Sequence, residues 1–311
     1  MFESEKNDRE GHITMSNSNV LNVKEMAEFI SNINRHLDTY IGYCGTDKNE
    51  IEETLLNDFS DFPLEQSFVS LKENGRLIGL LGIDMDQDTR EGELWGPFIQ
   101  HEDWDRMADL LWEQLLNQLP VQPIKIYGFY HIMNRNGKRL MERHQGSKTG
   151  EHSILSISSY ELEHDEKYLD SLQHISDEYH EDFITLHNAC FPATYYSAEE
   201  ILSRLNHEEK LFVSVVNDEL CGYVFCEANP VHGEGEIHYI AVSSSVRAKG
   251  IGRALLLKGL QFLFSFEEIQ NISLCVNTDN LAAMKLYQSS GFKEKYRLYS
   301  FEVVQKVSES E

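Results

Sequence analysis

No stretch of this 311-residue sequence approaches the roughly 18 consecutive apolar residues that a membrane-spanning helix requires, so no membrane partner is expected. The N-terminus, Met1-Phe-Glu-Ser-Glu-Lys-Asn-Asp-Arg-Glu, lacks the apolar centre of a secretory signal, and a cytoplasmic location is the simplest expectation. Cysteine is scarce and scattered: Cys44, Cys190, Cys221, Cys226 and Cys275 include no Cys-x-x-Cys pair. That argues against a disulfide framework or a zinc site. The apolar neighbours of Cys190, Cys221, Cys226 and Cys275 assign those four as small buried hydrophobes. The 13 histidines show no His-x-x-x-His or His/Cys cluster with ligand spacing, so no metal is expected. His131, His144, His187 and His207 read as surface or loop residues. Positive charge is also short. Lys and Arg number 27 against 52 Asp and Glu, a net charge of −25, and neither half of the chain is basic. A nucleic-acid partner is therefore not expected, since phosphate-backbone binding needs clustered Lys and Arg. An acidic field would instead concentrate a cationic small molecule such as an amine, or serve solubility alone.

The length is enough for two domains of about 150 residues each. Their order shows as a repeat at a spacing of about 143 residues. Phe68-Val69-Ser70-Leu71 followed by Asn74-Gly75 returns as Phe212-Val213-Ser214-Val215 followed by Asn217-Asp218, a hairpin signal in each case. Gly92-Glu93-Leu94-Trp95 returns as Gly235-Glu236-Ile237-His238, and Asn134 stands 143 residues before Asn277. A two-copy repeat of this length reads as a duplicated domain rather than a solenoid. The boundary is expected near 162–167, giving a flexible N-terminus over 1–18, a first domain over 19–164 and a second over 165–311.

In the second copy the periodicity predicts helices near 177–190 and 197–206, then strands near 210–216, 220–228 and 236–242. A helix over about 250–265, a strand at 271–276, a helix at about 280–289 and a strand at about 296–303 complete it. Strands and helices mixed on one sheet make an α/β or α+β unit. Between the strand ending at Val242 and the apolar helix containing Leu255, Leu256 and Leu257 lie Arg247, Ala248, Lys249, Gly250, Ile251 and Gly252. Glycines there let a ligand approach the backbone, and the helix start offers N–H groups and the positive end of its dipole to a pyrophosphate. Arg247 and Arg253 can add charge-assisted contacts. Two glycines and an arginine alone also suit an ordinary tight turn. Downstream follow Asn277, Asn280-Leu281-Ala282-Ala283-Met284-Lys285-Leu286-Tyr287 and Gly291-Phe292.

Taken together, this constellation resembles the GNAT superfamily of acetyltransferases, over about residues 177–303. The signature is Arg/Gln-x-x-Gly-x-Gly/Ala after the fourth strand, then an Asn-x-x-Ala-x-x-Leu-Tyr helix ending in Gly-Phe. The resemblance implies two tandem domains, each a largely antiparallel twisted sheet flanked by helices. It implies acetyl-CoA as co-substrate, held with its pyrophosphate on Arg247–Gly252 and its pantetheine arm along Tyr239, Ile240, Ala241 and Val242. It also implies an amine acceptor, small molecule or peptide, that attacks the thioester directly. Tyr287 occupies the family's Leu-Tyr position and is the candidate acid for the departing thiolate. The candidate bases are Glu236 and His238, which share one side of the strand by period 2. Glu236 stands where several members carry a relaying glutamate, and the imidazole of His238 could do the same work. N–H groups near Ala241 and Val242 would polarise the carbonyl. Asn277 matches a cofactor-contacting position, and Asn280 either joins it or caps its helix. Tyr195 and Tyr196 are expected to line the acceptor pocket or merely to pack.

At an offset of 143, Arg247, Gly250 and Gly252 face Trp104, Met107 and Asp109, and the segment aligned with Leu286-Tyr287 reads Leu140-Met141. The first copy has lost the glycines and the acid, so it is read as degenerate, shaping the acceptor pocket or pairing with its twin. A homodimer is left open. Trp104 and Trp112 belong to a core or a domain seam. The rival readings are a non-catalytic acyl-CoA-binding module, and a scaffold whose first copy recruits a protein for the second to modify.

Overall fold

The computed structural model describes residues 13–16, 22–57, 59–162, 172–192, 194–246 and 249–305. They fall into two compact units, one of residues 1–152 with 297–311, the other of residues 153–296.

The first unit begins with β1 (Ile13–Ser16), a strand within the stretch expected to be flexible; the rest of 1–18 lies outside the described residues. Helix α1 (Val23–Asn34) is capped by the Asn22 side chain, which accepts from Lys24 N and Glu25 N. There follow α2 (Lys48–Asn57), α3 (Leu64–Ser67), β2 (Phe68–Glu73), β3 (Arg76–Asp86), β4 (Glu91–Ile99), α4 (Trp104–Gln118), β5 (Lys125–His131), α5 (Arg135–Arg143) and β6 (Ser147–Ser158). β1 through β4 pair antiparallel in sequence order, and β4 pairs β5 in parallel, Glu91 against Lys125. The core under them holds Leu111, Trp112, Leu115, Leu140 and Met141, with Trp104 packed on its margin.

The second unit carries β7 (Leu172–His174), α6 (His180–Cys190), α7 (Ala198–Arg204), β8 (Glu209–Val216), β9 (Glu219–Asn229), β10 (Glu234–Val242), α8 (Ile251–Leu263), β11 (Asn271–Asn277), α9 (Leu281–Ser289) and the start of β12 (Lys293–Val304). Its antiparallel sheet runs β10-β9-β8-β7, and both faces are covered. Period-2 alternation sorts the faces. Leu211, Val213, Tyr223 and Phe225 point to α6 and α7, where they meet Phe183 and Ile201. Phe212, Val224 and Cys226 point the other way, to Leu256 and Leu260 of α8. Both hairpins, β2–β3 and β8–β9, turn through two residues of positive φ, Asn74-Gly75 (50°, 79°) and Asn217-Asp218 (53°, 62°). That is the geometry the Asn-Gly and Asn-Asp pairs prescribe.

Two readings of the repeat need correction. The units divide at His152/Ser153 and at Tyr296/Arg297, not near residue 164. The second half of β6 counts with the second unit, beside β11, and most of β12 counts with the first, pairing β5 from Leu298↔His131 to Val304↔Lys125. A strand's sequence reports its burial and not which strands it pairs with, so this exchange leaves no trace in periodicity. The offset is also not constant. It is 143 for β3 and β9 (219 − 76) and for β4 and β10 (234 − 91), then 146 for β5 and β11 (271 − 125) and for α5 and α9 (281 − 135). The connection after β10, residues 243–250, is twice as long as its counterpart, residues 100–103. Asn134 therefore stands with Asn280, not Asn277, and each caps the helix it precedes. Likewise Gly250 stands with Asp103, not Met107, as the residue before the helix.

Candidate active site: a glycine-capped helix beside a bulged strand edge

Helix α8 starts from Gly250, whose φ of 83° is left-handed and which supplies no side-chain cap. The first intrahelical bond comes only at Ala254 N–H, donating to Gly250 O at 3.0 Å. The N–H groups of Ile251 and Gly252 thus project from the helix end with no acceptor among the described residues, at the positive pole of the dipole. A Cβ on Gly252 would come no closer than 3.5 Å to any protein atom, the nearest being Val242 Cγ2. Protein packing therefore does not require that glycine. The arrangement fits a ligand diphosphate. Arg247 and Ala248 lie outside the described residues, and Lys249 is exposed. Arg253 Nε donates to Ser289 O at 2.8 Å, tying the start of α8 to the end of α9.

In the first unit the same helix end is closed. Asp103 Oδ1 accepts from Arg106 N–H, and Asp105 and Asp109 at the head of α4 hold Arg143, with Asp105 also binding Arg139 at 2.9 Å. The start of α4 thus carries a carboxylate cap where the start of α8 carries none.

β10 is an edge strand of its sheet, and β11 is the edge of the neighbouring strand group, so two strand edges lie side by side in the second unit. Val242 and Ser243, at the end of β10, line a cleft of about 580 Å³ with Thr185, Leu186 and Cys190 of α6. Tyr287 on α9 is half-buried against the α8 core, with its ring 5.6 Å from that of Phe292. Its hydroxyl has no hydrogen-bond partner among the described residues, and burial pushes the phenol above its ordinary pKa. Asn277 is exposed at the end of β11, and its Oδ1 accepts from Asp279 N–H at 2.8 Å. Asn280 accepts from Ala283 N–H, so of its two expected roles the structure shows the cap.

β10 is bulged. Ile237 pairs Cys226 and Tyr239 pairs Phe225, so His238 is the extra residue. Ile237, Ile240 and Val242 accordingly pack toward α8, while Tyr239 and Ala241 pack toward α6 and α7. His238 joins that second face, its ring 5.5 Å from Phe225 and stacked on it. Its side chain is 7% exposed, against 68% for Glu236. The two candidate bases do meet, Nδ1 to Glu236 Oε2 at 3.4 Å. Nδ1 also lies 2.7 Å from Tyr195 Oη, and Nε2 lies 2.8 Å from Glu227 Oε2. Glu227 further accepts from Arg204, which binds Glu209 and stands 4.4 Å over the Tyr196 ring. Burial first, then Tyr239 and the Glu236 carboxylate, push the Tyr195 phenol above its ordinary range.

The side chain of Tyr239 serves the protein. Its hydroxyl accepts from Tyr196 N–H at 3.2 Å and shares a 2.6 Å bond with Thr194 Oγ1. His187 completes the clamp, donating from Nε2 to Tyr196 O at 3.1 Å while Nδ1 accepts from Tyr223 Oη at 2.7 Å. Sequence reasoning placed His187 and His131 at the surface, yet both are buried. A histidine on an apolar helix face was the signal available for His187. Cys275, expected to be buried, is exposed on β11, whereas Cys221 and Cys226 are buried. Glu227 was not singled out, although it stands in the sequence opposite Glu236 once the hairpin is drawn. Among the described residues there is no group of three or more metal-ligating side chains, and no helix is long and apolar enough to cross a membrane.

Comparison with known proteins bears on this site directly. Residues 172–292 match the model of the acetyltransferase (GNAT) family. A mycothiol acetyltransferase from Renibacterium salmoninarum is 40% identical over 58 residues, which are 19% of this chain and 17% of that protein's length. A GCN5-related N-acetyltransferase from Sphaerobacter thermophilus shares the fold, with a TM-score of 0.68 at 14% identity, covering 95% of this chain and 97% of its own. A tandem GNAT protein from the clavulanic acid biosynthesis pathway shares it at a TM-score of 0.54 and 10% identity, covering 96% and 99%. The chain therefore carries, at residues 172–292, an acetyltransferase domain of the GNAT family.

Proposed function

We propose that the chain transfers an acetyl group from acetyl-CoA to a primary amine, small molecule or peptide, in its second unit. The first unit is, in this proposal, a degenerate copy of the same fold without a coenzyme A site. The observation that carries the reading is the contrast between the two helix ends. One is opened by a left-handed Gly250 and a Gly252 that the protein's own packing does not demand; the other is capped and ion-paired by Asp103, Asp105 and Asp109.

The diphosphate of the co-substrate would rest on Ile251 and Gly252 N–H, and the pantetheine arm would follow the edge of β10 from Tyr239 to Val242. Acetyl-CoA supplies the activated acyl group. The protein must hold the amine unprotonated, polarise the carbonyl through β10 N–H groups, and return a proton to the thiolate. Tyr287 is the residue proposed for the last role, its hydroxyl having no partner among the described residues. Since burial makes the phenol a weaker acid, it can give its proton to the departing thiolate only where that thiolate is desolvated too. Glu236 and His238 lie on the face where the amine would enter. An acceptor carrying positive charge suits a site edged by Glu227 and Glu236. A non-catalytic acyl-CoA-binding module would have no use for a half-buried phenol whose hydroxyl no described residue engages.

The test is thermal unfolding with about 1 mM acetyl-CoA, followed by thiol release against a panel of amines. Wild type and Tyr287→Phe should show the same ligand-induced shift, and Tyr287→Phe should lose about 10²-fold in turnover. A folded wild type with no shift rejects the proposal, and a shift without thiol release against any amine favours the binding module.

A further inference from the structure

The side chains around the β10 bulge form a chain of hydrogen bonds that runs from a half-buried carboxylate to an exposed phenol. Glu227 on β9 faces His238 Nε2 at 2.8 Å. A carboxylate only accepts, so Nε2 must carry a hydrogen, and in the neutral ring Nδ1 is then the bare nitrogen. Nδ1 lies 2.7 Å from Tyr195 Oη, which must donate to it. Tyr195 itself is 63% exposed. The groups around the imidazole hold its plane, and the two carboxylates beside it would balance a positive charge on the ring. Phe225 stacks on it from β9, Glu236 approaches Nδ1 at 3.4 Å from β10, and Tyr196 and Tyr239 flank it. Arg204 of α7, the cation of the cluster, is engaged by Glu227 and by Glu209 of β8, so it fixes the carboxylate that orients the ring.

We propose that Tyr195, His238 and Glu227 form a proton relay for the acceptor amine, with Tyr195 as the group that touches the amine and Glu227 as the positioning residue. The proposal rests on the acetyltransferase reading and adds to it a route for the proton. One N–H bond of the acceptor ammonium breaks, its proton passing to Tyr195 Oη as the phenolic proton passes to His238 Nδ1. The tyrosine ends as it began. The imidazole gains one proton, and Glu227 on one side and Glu236 on the other balance the charge. The amine keeps its lone pair for attack on the thioester. The solvent takes the proton from the imidazole before the next turnover.

This geometry makes the two candidate bases one unit. Glu236 then acts on the same nitrogen that Tyr195 serves, stabilising the imidazolium, and need not abstract the proton itself. It also explains the clamp on the loop: His187, Tyr239 and Thr194 hold the backbone on both sides of Tyr195 and so fix where its hydroxyl lies.

The experiment uses the full chain with nitrogen-15-labelled histidine, reading ring tautomers by NMR, with His238→Gln to assign the signal. The neutral His238 ring should be the Nε2–H tautomer, and Glu227→Gln should convert it to a mixture while Glu227→Asp retains the preference. With an amine found by thiol release, Tyr195→Phe should lower kcat about 10²-fold, the scale of a lost general base, and leave the acetyl-CoA thermal shift unchanged. A neutral ring bearing its hydrogen on Nδ1 overturns the relay, and so does wild-type kcat in Tyr195→Phe with an intact acetyl-CoA shift. Absence of any acetyl-CoA shift in folded wild type instead overturns the acetyltransferase reading, and the relay's role with it.

Discussion

Replacing Gly252 by alanine should stabilise the unliganded protein and weaken its hold on acetyl-CoA, two effects of opposite sign from one methyl group. The new Cβ would meet Val242 Cγ2 at 3.5 Å and Leu286 Cδ1 at 3.7 Å, ordinary contacts that cost nothing. Alanine in a helix is favoured over glycine by about 0.5–1 kcal/mol, the lower end applying in a first turn. For a unit the size of residues 153–296, 1 kcal/mol moves the midpoint by roughly 2–4 °C, so the unliganded Tm should rise by about 1–2 °C. Acetyl-CoA at about 100 times its Kd adds about 2.7 kcal/mol to wild type, a shift of roughly 5–10 °C. If the methyl stands between the helix end and the diphosphate and weakens binding tenfold, the same ligand concentration adds about 1.4 kcal/mol, and the shift halves. Gly250→Ala is the contrasting variant. It forces a side chain into φ 83° and should cost about 1–2 kcal/mol without ligand. Scanning calorimetry or dye-monitored unfolding with and without acetyl-CoA reads both. A Gly252→Ala protein that keeps the full ligand shift, or that is destabilised without ligand, refutes the argument that this glycine is kept for a ligand.

Three further outcomes follow from the packing. Gly259→Ala would drive a Cβ to 2.6 Å from Cys226 Sγ between α8 and β9; it should cost about 1–3 kcal/mol in urea unfolding, with Cys226→Ala recovering part of the loss. Burial holds the His187 pKa below its ordinary 6.5, so the folded state keeps the ring neutral where the unfolded chain would protonate it. Its contribution to stability is therefore complete above pH 6.5 and lost as pH falls below that, and Tm measured from pH 7.5 to 5 should decline less in His187→Gln. Asp103→Ala removes the cap of α4 and should cost the first unit about 1 kcal/mol while leaving the acetyl-CoA shift as in wild type.

Much of the second unit was legible from residues 177 to 303, because each element there carries a local signal. The αL-prone Asn217-Asp218 turn, the Asn280 cap and the apolar stripe of α8 each specify their own conformation. What stayed hidden depends on pairing between distant segments. The short β7 has three residues and too little periodicity to show. The exchange of β6 and β12 is a choice of partner, and a strand's composition suits either neighbour. The helix-end comparison failed in its residues for the same reason. A constant offset carried across a connection of different length put Met107, a buried core residue, opposite Gly250. Asp103 caps the helix by local rules, and reading caps instead of counting residues would have found it.

Where the bulge falls separates the chemistry of the two units more sharply than the loss of any motif residue. β4 and β10 both break register with the strand before them. In the first unit the shift lies between the pairs Gly82↔Trp95 and Leu80↔Phe98, so the unmatched residues of β4 are Gly96 and Pro97, which carry no titratable group. In the second unit it lies on His238. Without that bulge, strict alternation would set His238 with Ile240 and Val242 on the α8 face, inside an apolar core. One inserted residue instead turns the imidazole to the face that holds Glu227, Glu236 and Tyr195, where Tyr239 clamps the loop. The proposed relay thus depends on a single backbone irregularity. Deleting His238 should leave a regular ladder, Ile237↔Cys226 followed directly by Tyr239↔Phe225, so Tyr239 and Ala241 keep their core. Thermal unfolding should show a folded protein, and a loss of stability well beyond that of His238→Gln would refute the view that the bulge serves to place the imidazole.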